Sequence, residues 1–249
     1  MSLGYGQRDN EGLNVSSTQN TPIFNAPDAV KWIAGATLLA HIGRVYLLPG
    51  DASISLMVEL AFVPGRYSTE FISLYGLSWP TFASPLTHML VHGDFTHLLV
   101  NVLLFLAFGA AVGRRMAAWP MLVFYILCGF AGALTFWIFN LGLLAPVIGA
   151  SGAVAGAVGA VCRLSFMPHD PSNPMPFSSR NAALTFVIVW LVLNFFFGML
   201  PAEAFGASGG GIAWETHLGG FVFGFLAISW FDGRGLKPNT FEFRPPTLT

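Results

Sequence analysis

Six apolar runs, each close to the length needed to cross a bilayer, constrain this chain more than any other feature. They lie at 30–49, 96–113, 119–142, 147–164, 182–200 and 213–231. Only 9% of the residues are charged, against about a quarter in soluble domains. Backbone groups inside lipid must satisfy their own hydrogen bonds, so runs of this length predict helices. We therefore expect an all-α, polytopic membrane protein with six transmembrane helices.

The segment between the first two runs, 50–95, is rich in aromatic residues and proline and is too apolar for a solvated linker. It predicts a large, ordered, partly membrane-embedded first loop with short helices. Gly93 and Asp94 at its end predict a stop and an N-cap for the second span. Residues 1–28 are polar and predict a disordered tail, 29–231 form the membrane domain, and 232–249 form a second tail.

The distribution of positive charge predicts the orientation. Nine of the eleven Lys and Arg residues lie in or at the edge of the tails, the connection between spans two and three, or that between spans four and five. Only Arg44 and Arg66 lie on the other side. The positive-inside rule then places both termini in the cytoplasm. The formal net charge of −1 gives no reason to expect a nucleic-acid partner. The expected surroundings are the lipid bilayer, and the oligomeric state stays open.

Polar residues from three spans fall at a similar depth below the outer surface. Ser151 lies near the outer end of span four, His217 near that of span six, and His97 and Asn101 open span two. Polar side chains are costly to bury in lipid and need a reason. A hydroxyl beside an imidazole is a nucleophile beside a base. His97 and Asn101 share one helix face and can point at the same oxygen. The helix N-terminus near Ser151 also leaves free N–H groups, which can stabilise an oxyanion.

Small residues recur at helical spacing on the two spans that carry the hydroxyl and the base. They are Ser151, Ala155 and Gly159 on span four, and His217, Gly220 and Gly224 on span six. Such stripes let two helix backbones approach closely, which a hydrogen bond between Ser151 and His217 requires. Gly149 and Gly152 flank the hydroxyl. The simpler interpretation is that the pairs Gly152/Gly156 and Gly220/Gly224 serve packing alone.

Polar residues in membrane helices also have simpler roles than catalysis. A lone Ser in a Gly/Ala helix is usually a packing residue, and a lone intramembrane His often bonds structurally or relays protons. A transporter or channel would also bury such groups, but it normally shows inverted repeats, and none is evident. His88 and His92 are four residues apart, as metal ligands can be, yet no H-E-x-x-H motif is present. We expect neither a metal nor a cofactor.

Four short motifs together resemble those of the rhomboid intramembrane serine proteases, from about residue 80 to Gly224. They are His88-Met-Leu-Val-His92, His97-Leu-Leu-Val-Asn101, Gly149-Ala-Ser151-Gly152 and His217-Leu-Gly-Gly220-Phe-Val-Phe-Gly224. The resemblance implies a six-helix core that hydrolyses peptide bonds in or near transmembrane segments of other proteins.

The resemblance also implies a role for each matching residue. Ser151 would be the nucleophile and His217 the general base and then acid, in a dyad without aspartate. His97, Asn101 and the Ser151 N–H would form the oxyanion hole. His92 would be structural or water-organising, as Gly149, Gly152, Gly220 and Gly224 would be. Inactive relatives usually lack the Ser or the His, and both are present here, which favours an active protease. The alternative is a non-catalytic protein that binds membrane clients.

Two departures from the family pattern leave questions open. Trp79 is followed by Pro80 where many members have arginine, which leaves the anchoring of the first loop unexplained. Ala155 stands where many have an aromatic residue packed on the histidine, so another residue must orient His217. The site would open toward the outer face. The Gly-rich segment 201–212 suits a lid, and Phe195-Phe196-Phe197 either form a lateral gate or face lipid.

Overall fold

The computed structural model describes residues 26–167, 177, 179–199 and 213–233. Among these residues the prediction of an all-α chain is confirmed, since the only strand-like pairing is an isolated bridge between Phe62 and Val147. The helices are α1 (Asp28–Leu47), α2 (Gly50–Leu60), α3 (Thr69–Tyr75), α4 (Trp79–Thr87), α5 (Phe95–Gly113), α6 (Ala118–Phe139), α7 (Ser151–Ser165), α8 (Arg180–Met199) and α9 (Trp214–Phe231). Single 3₁₀ turns lie at Pro64–Tyr67 and His88–Leu90.

Each of the six apolar runs corresponds to one helix: α1, α5, α6, α7, α8 and α9. Of the described helices, α5, α6 and α8 are long and apolar enough to cross a membrane, and α7 is a shorter apolar helix. The fourth run begins at 147, but α7 begins only at Ser151. The reason is Gly149, whose φ of 110° is incompatible with a helix and is readily adopted by glycine.

The first loop contains the predicted short helices, α2, α3 and α4. The Asp94 carboxylate accepts a hydrogen bond from the His97 N–H at 2.8 Å, which confirms the predicted N-cap of α5. The anchoring question raised by Trp79-Pro80 has a local answer. Arg66 donates to the carbonyl oxygens of Val58 and Ala61, each at 2.8 Å. A cation thereby closes the C-terminal end of α2, where unpaired carbonyl groups concentrate negative charge.

Helix α7 is the centre of the bundle. Every residue from Gly152 to Cys162 is buried, and α7 packs chiefly against α9 and α6. Cys128 and Cys162 are buried free thiols. Helix α8 is the opposite case, since Ala183 is its only buried residue. The core is thus built around α7, while α8 lies at the periphery.

The backbones of α7 and α9 touch at two glycine pairs. A Cβ atom added to Gly220 would fall on the Gly152 carbonyl group, and one added to Gly224 would fall on that of Gly156. The predicted close approach of spans four and six is therefore present. On α7, however, the contacting face is that of Gly152 and Gly156. Of the predicted α7 stripe, Gly159 also meets the backbone of α9, beneath the Phe221 carbonyl.

Two predicted features fall on parts of the chain that the structure does not describe. The lid at 201–212 lies outside the described residues, and so does nearly all of the two tails, 1–28 and 232–249.

A glycine substitution tests whether backbone contact holds α7 and α9 together. Gly224→Ala should lower the free energy of unfolding by about 1–3 kcal/mol, as overpacking does, because backbone cannot rotate out of the way. Gly43→Ala in α1 is the matched control, since nothing lies within 4 Å of its added Cβ. That variant should unfold at the wild-type temperature or slightly higher. Thermal unfolding in detergent measures the transition temperature of both variants. A Gly224→Ala variant that unfolds at the same temperature as Gly43→Ala would contradict the close contact.

Candidate active site

The entry to α7 is held by the segment that precedes α5. The Gly149 N–H donates to the His88 carbonyl oxygen at 2.9 Å. The Ala150 N–H donates to Nε2 of His92 at 3.3 Å. These two bonds fix the two residues immediately before Ser151. The half-buried Ser151 is thus presented as the first residue of a helix, where its own N–H has no intrahelical acceptor.

His92 is fully buried and must be neutral to accept the Ala150 N–H. Burial lowers the pKa of its imidazole to about 3, and the neighbouring His97, His41 and Arg44 act in the same direction. Burial likewise lowers the pKa of His88 to about 4. Both rings are therefore uncharged at neutral pH, and the Nε2 lone pair of His92 stays free to accept.

Arg44, one of the residues that interrupt the first apolar run, braces the same segment. It donates to the His92 carbonyl oxygen at 2.8 Å and to the Ser53 hydroxyl at 2.9 Å. Its side chain is buried, and it links α1 to α2 and to the segment before α5. A charge inside the first apolar run therefore holds the segment that bonds to the two residues before Ser151.

His97 and Asn101, the candidate oxyanion donors, both lie next to the entry to α7. A Cβ at Gly149 would be 2.7 Å from Nε2 of His97, so the ring rests directly on that glycine. Asn101 is buried and donates to the His97 carbonyl oxygen at 2.8 Å. It lines a small cavity together with Ala150. Both side chains thus approach the residues just before Ser151.

His217, the candidate base, is the fourth residue of α9 and is half-buried. Nδ1 of its ring lies 2.5 Å from Oδ1 of Asn194 in α8. The Trp190 ring lies beside it, with ring centroids 6.4 Å apart. The hydrogen bonds of the described residues do not include one between the Ser151 hydroxyl and this ring. The two groups occupy adjoining helix ends, next to the crossing of Gly152 and Gly220.

Asn194 and Trp190 are the functional candidates that the sequence analysis missed. They supply the contact with the His217 ring that the small side chain of Ala155 cannot. A signal was available for Asn194, because an amide in the middle of an apolar run requires a hydrogen-bonding partner. Nothing in the sequence identified that partner as His217.

The metal-site alternative finds no support in the described part of the chain. There, no group of three or more His, Cys, Asp and Glu side chains is arranged to hold a metal ion. Nδ1 of His88 lies 3.0 Å from the Ser84 carbonyl oxygen, and Nε2 of His92 is engaged with the Ala150 N–H. One nitrogen of each ring is therefore engaged with a backbone group.

The family profile described as Rhomboid domain matches residues 80–234, which include the helices that carry Ser151, His217 and the candidate oxyanion donors. The chain belongs to the rhomboid family. Together with its apolar helices, this makes it an integral membrane protein.

Individual relatives are similar at low identity. RHOMBOID-like protein 4 of Arabidopsis thaliana is 27% identical over 61% of this chain and 38% of its own length. Rhomboid protease GluP of Bacillus subtilis is 28% identical over 58% of this chain and 25% of its own length. The chain therefore spans well under half of either relative. Rhomboid protease GlpG of Haemophilus influenzae is 24% identical over 82% of this chain and 98% of its own length.

The buried neutral histidines predict an acid-labile fold for this rhomboid. His88 and His92 have pKa values of about 4 and 3, below the 6.5 of an exposed histidine. Their contribution to the free energy of unfolding is complete above pH 6.5 and is lost as the pH falls toward 4. The reason is that in this range both histidines take up protons in the unfolded chain but stay neutral in the folded chain. Each group contributes a slope of up to about 1.4 kcal/mol per pH unit in this window.

The variant His92→Gln isolates one of these groups, because its amide oxygen can accept the Ala150 N–H but does not titrate. Its unfolding temperature should fall less between pH 7.5 and pH 5.0 than that of the wild type. Thermal unfolding in detergent at the two pH values gives the comparison. An identical decrease in both proteins would show that His92 is not a buried neutral acceptor.

Proposed function

We propose that this chain is an intramembrane serine endopeptidase that cleaves membrane proteins in or near their transmembrane segments. The observation that carries the proposal is the glycine crossing, which sets the N-terminus of α7, with Ser151, beside the first turn of α9, with His217. Family membership adds support, since two relatives are named rhomboid proteases.

In the proposed reaction, Nε2 of His217 takes the proton of the Ser151 hydroxyl while Oγ bonds to the scissile carbonyl carbon. The protonated His217 then gives that proton to the leaving amine, and the peptide C–N bond breaks. A water molecule, activated by the same ring, hydrolyses the resulting acyl-enzyme. No metal or cofactor enters these steps.

The negative charge that develops on the substrate oxygen would be stabilised at the start of α7. The Ser151 N–H is unpaired there and lies at the positive end of the helix dipole. The His97 ring rests on Gly149, and Asn101 lines a cavity with Ala150. Gly149 and Ala150 are the two residues immediately before the Ser151 N–H. Small rearrangements of the His97 and Asn101 side chains would bring their N–H groups to the same oxygen.

The proposed topology has six transmembrane helices, a partly embedded first loop, cytoplasmic termini and a site that opens toward the outer face. Water would reach Ser151 from that face. Transmembrane substrates would enter sideways through the bilayer, past α8. Phe195 and Phe196 are about half exposed on α8, which suits either a gate or a lipid-facing surface. The alternative function, client binding without cleavage, is consistent with the missing hydrogen bond between Ser151 and His217.

A serine-reactive probe distinguishes these alternatives. A fluorophosphonate should label the wild type at Ser151. Labelling and cleavage of a transmembrane substrate should both be lost in Ser151→Ala and in His217→Ala, because an unassisted hydroxyl is a poor nucleophile. Ser165→Ala is the matched control at the other end of α7, where the hydroxyl only donates to the Val161 carbonyl oxygen. It should keep both properties.

The unfolding temperature of each variant is measured alongside. Cleavage by a folded Ser151→Ala protein would overturn the mechanism. A wild type that binds substrate but is never labelled would instead support client binding.

Deleting an oxyanion donor should act on turnover. Asn101→Ala should lower kcat by about 10²-fold, the typical loss when one such donor is removed, and His97→Ala should be at least as severe. Thr37→Val is the control, because Thr37 lines the same cavity as Asn101 but its hydroxyl bonds the Ile33 carbonyl oxygen and the Tyr125 side chain, not the entry to α7. Steady-state kinetics separate the parameters. If Asn101→Ala raised KM alone, the residue would bind the ground state and the oxyanion assignment would be wrong.

A further inference from the structure

The amide of Asn194 is held in one orientation by two different partners. Its Nδ2 donates to the Trp190 carbonyl oxygen at 2.8 Å, one turn earlier in α8. A carbonyl oxygen can only accept, so the atom that faces it must be the nitrogen. The other end of the amide, which lies 2.5 Å from Nδ1 of His217, is therefore the oxygen.

This orientation selects the tautomer of His217. An amide oxygen accepts but cannot donate, so the proton of the neutral ring must be on Nδ1. The lone pair is then on Nε2, the atom that a general base offers to a nucleophile. When the ring takes up a proton, the bond from Nδ1–H to Asn194 is retained. Because the amide is neutral, this arrangement avoids burying a second charge inside the membrane.

Aromatic packing supports the same geometry. Trp190 lies beside the His217 ring and stacks on Phe221, with ring centroids 5.1 Å apart and planes inclined by 24°. Phe221 is buried and follows His217 by one turn of α9. Further along α8, Phe195 packs edge-on against Trp214. One face of α8 therefore lies along the first two turns of α9, although the rest of α8 is poorly buried.

We infer that Asn194 is the positioning residue for His217: it fixes the tautomer and orientation of the ring from α8, in place of an aromatic side chain on α7. This rests on the proposed function, in which His217 is the base. A further consequence is that the base is correctly set only while α8 is docked against α9.

Two measurements test the inference, and the first needs no catalysis. In protein labelled with ¹⁵N-histidine, the His217 resonances are assigned by their loss in His217→Ala. At a pH where the ring is neutral, the wild type should carry its proton on Nδ1. Asn194→Leu should shift the population toward the tautomer protonated on Nε2, while Val192→Ala, a lipid-exposed control on the same helix, should not. An unchanged tautomer in Asn194→Leu would overturn the inference.

The second measurement is kinetic. Asn194→Leu should lower kcat on the order of 10²-fold, the lower end of what general-base catalysis contributes, with little change in KM. Asn194→Asp keeps an acceptor facing Nδ1 and should recover part of the loss. Equal kcat values for folded Asn194→Leu and Val192→Ala would also overturn the inference.

The two tests separate this inference from the proposed function. If the wild type neither cleaves substrate nor reacts with the probe, the proposed function fails. The tautomer measurement still decides whether Asn194 positions His217.

Discussion

The contact between the backbones of α7 and α9 is the constraint on which the rest of the structure depends. In lipid there is little hydrophobic force to bring helices together, so close packing of small residues replaces it. Gly152 meets Gly220, and Gly156 meets Gly224, and none of these four residues places a side chain between the helices. A helix crossing made of backbone is stiff, because the helix hydrogen bonds hold the backbone dihedrals and glycine has no side-chain rotamer that could absorb a displacement. The positions of Ser151 and His217 inherit that stiffness.

The start of α7 is positioned by a glycine turn and by hydrogen bonds. Gly149 turns the chain with a positive φ, and its missing side chain leaves room for the His97 ring. The two N–H groups before Ser151 are then held by His88 and His92, which Arg44 braces through the His92 carbonyl oxygen. Hydrogen bonds therefore hold the start of α7 against the first loop, while the rest of α7 packs against α9. The candidate nucleophile lies where the two meet.

Most of the side chains that form hydrogen bonds near the site are uncharged. Burial keeps His88 and His92 uncharged, and an amide rather than a carboxylate accepts from His217. Each choice avoids the desolvation cost of an ion in a low-dielectric region. The exception, Arg44, is paired with a carbonyl oxygen and a hydroxyl within the protein.

The sequence by itself determined the helical runs, the N-cap at Asp94, the short helices of the first loop and the motifs that indicate the rhomboid family, because each depends on local composition or spacing. It did not reveal that α7 begins as late as Ser151, that the pair Gly152/Gly156 meets Gly220 and Gly224, or that Asn194 meets His217. Those features depend on residues far apart in the chain: Ala150 bonds a side chain 58 positions away, and His217 one 23 positions away. Spacing along one helix predicts which residues share a face. Only the packed bundle decides what that face meets.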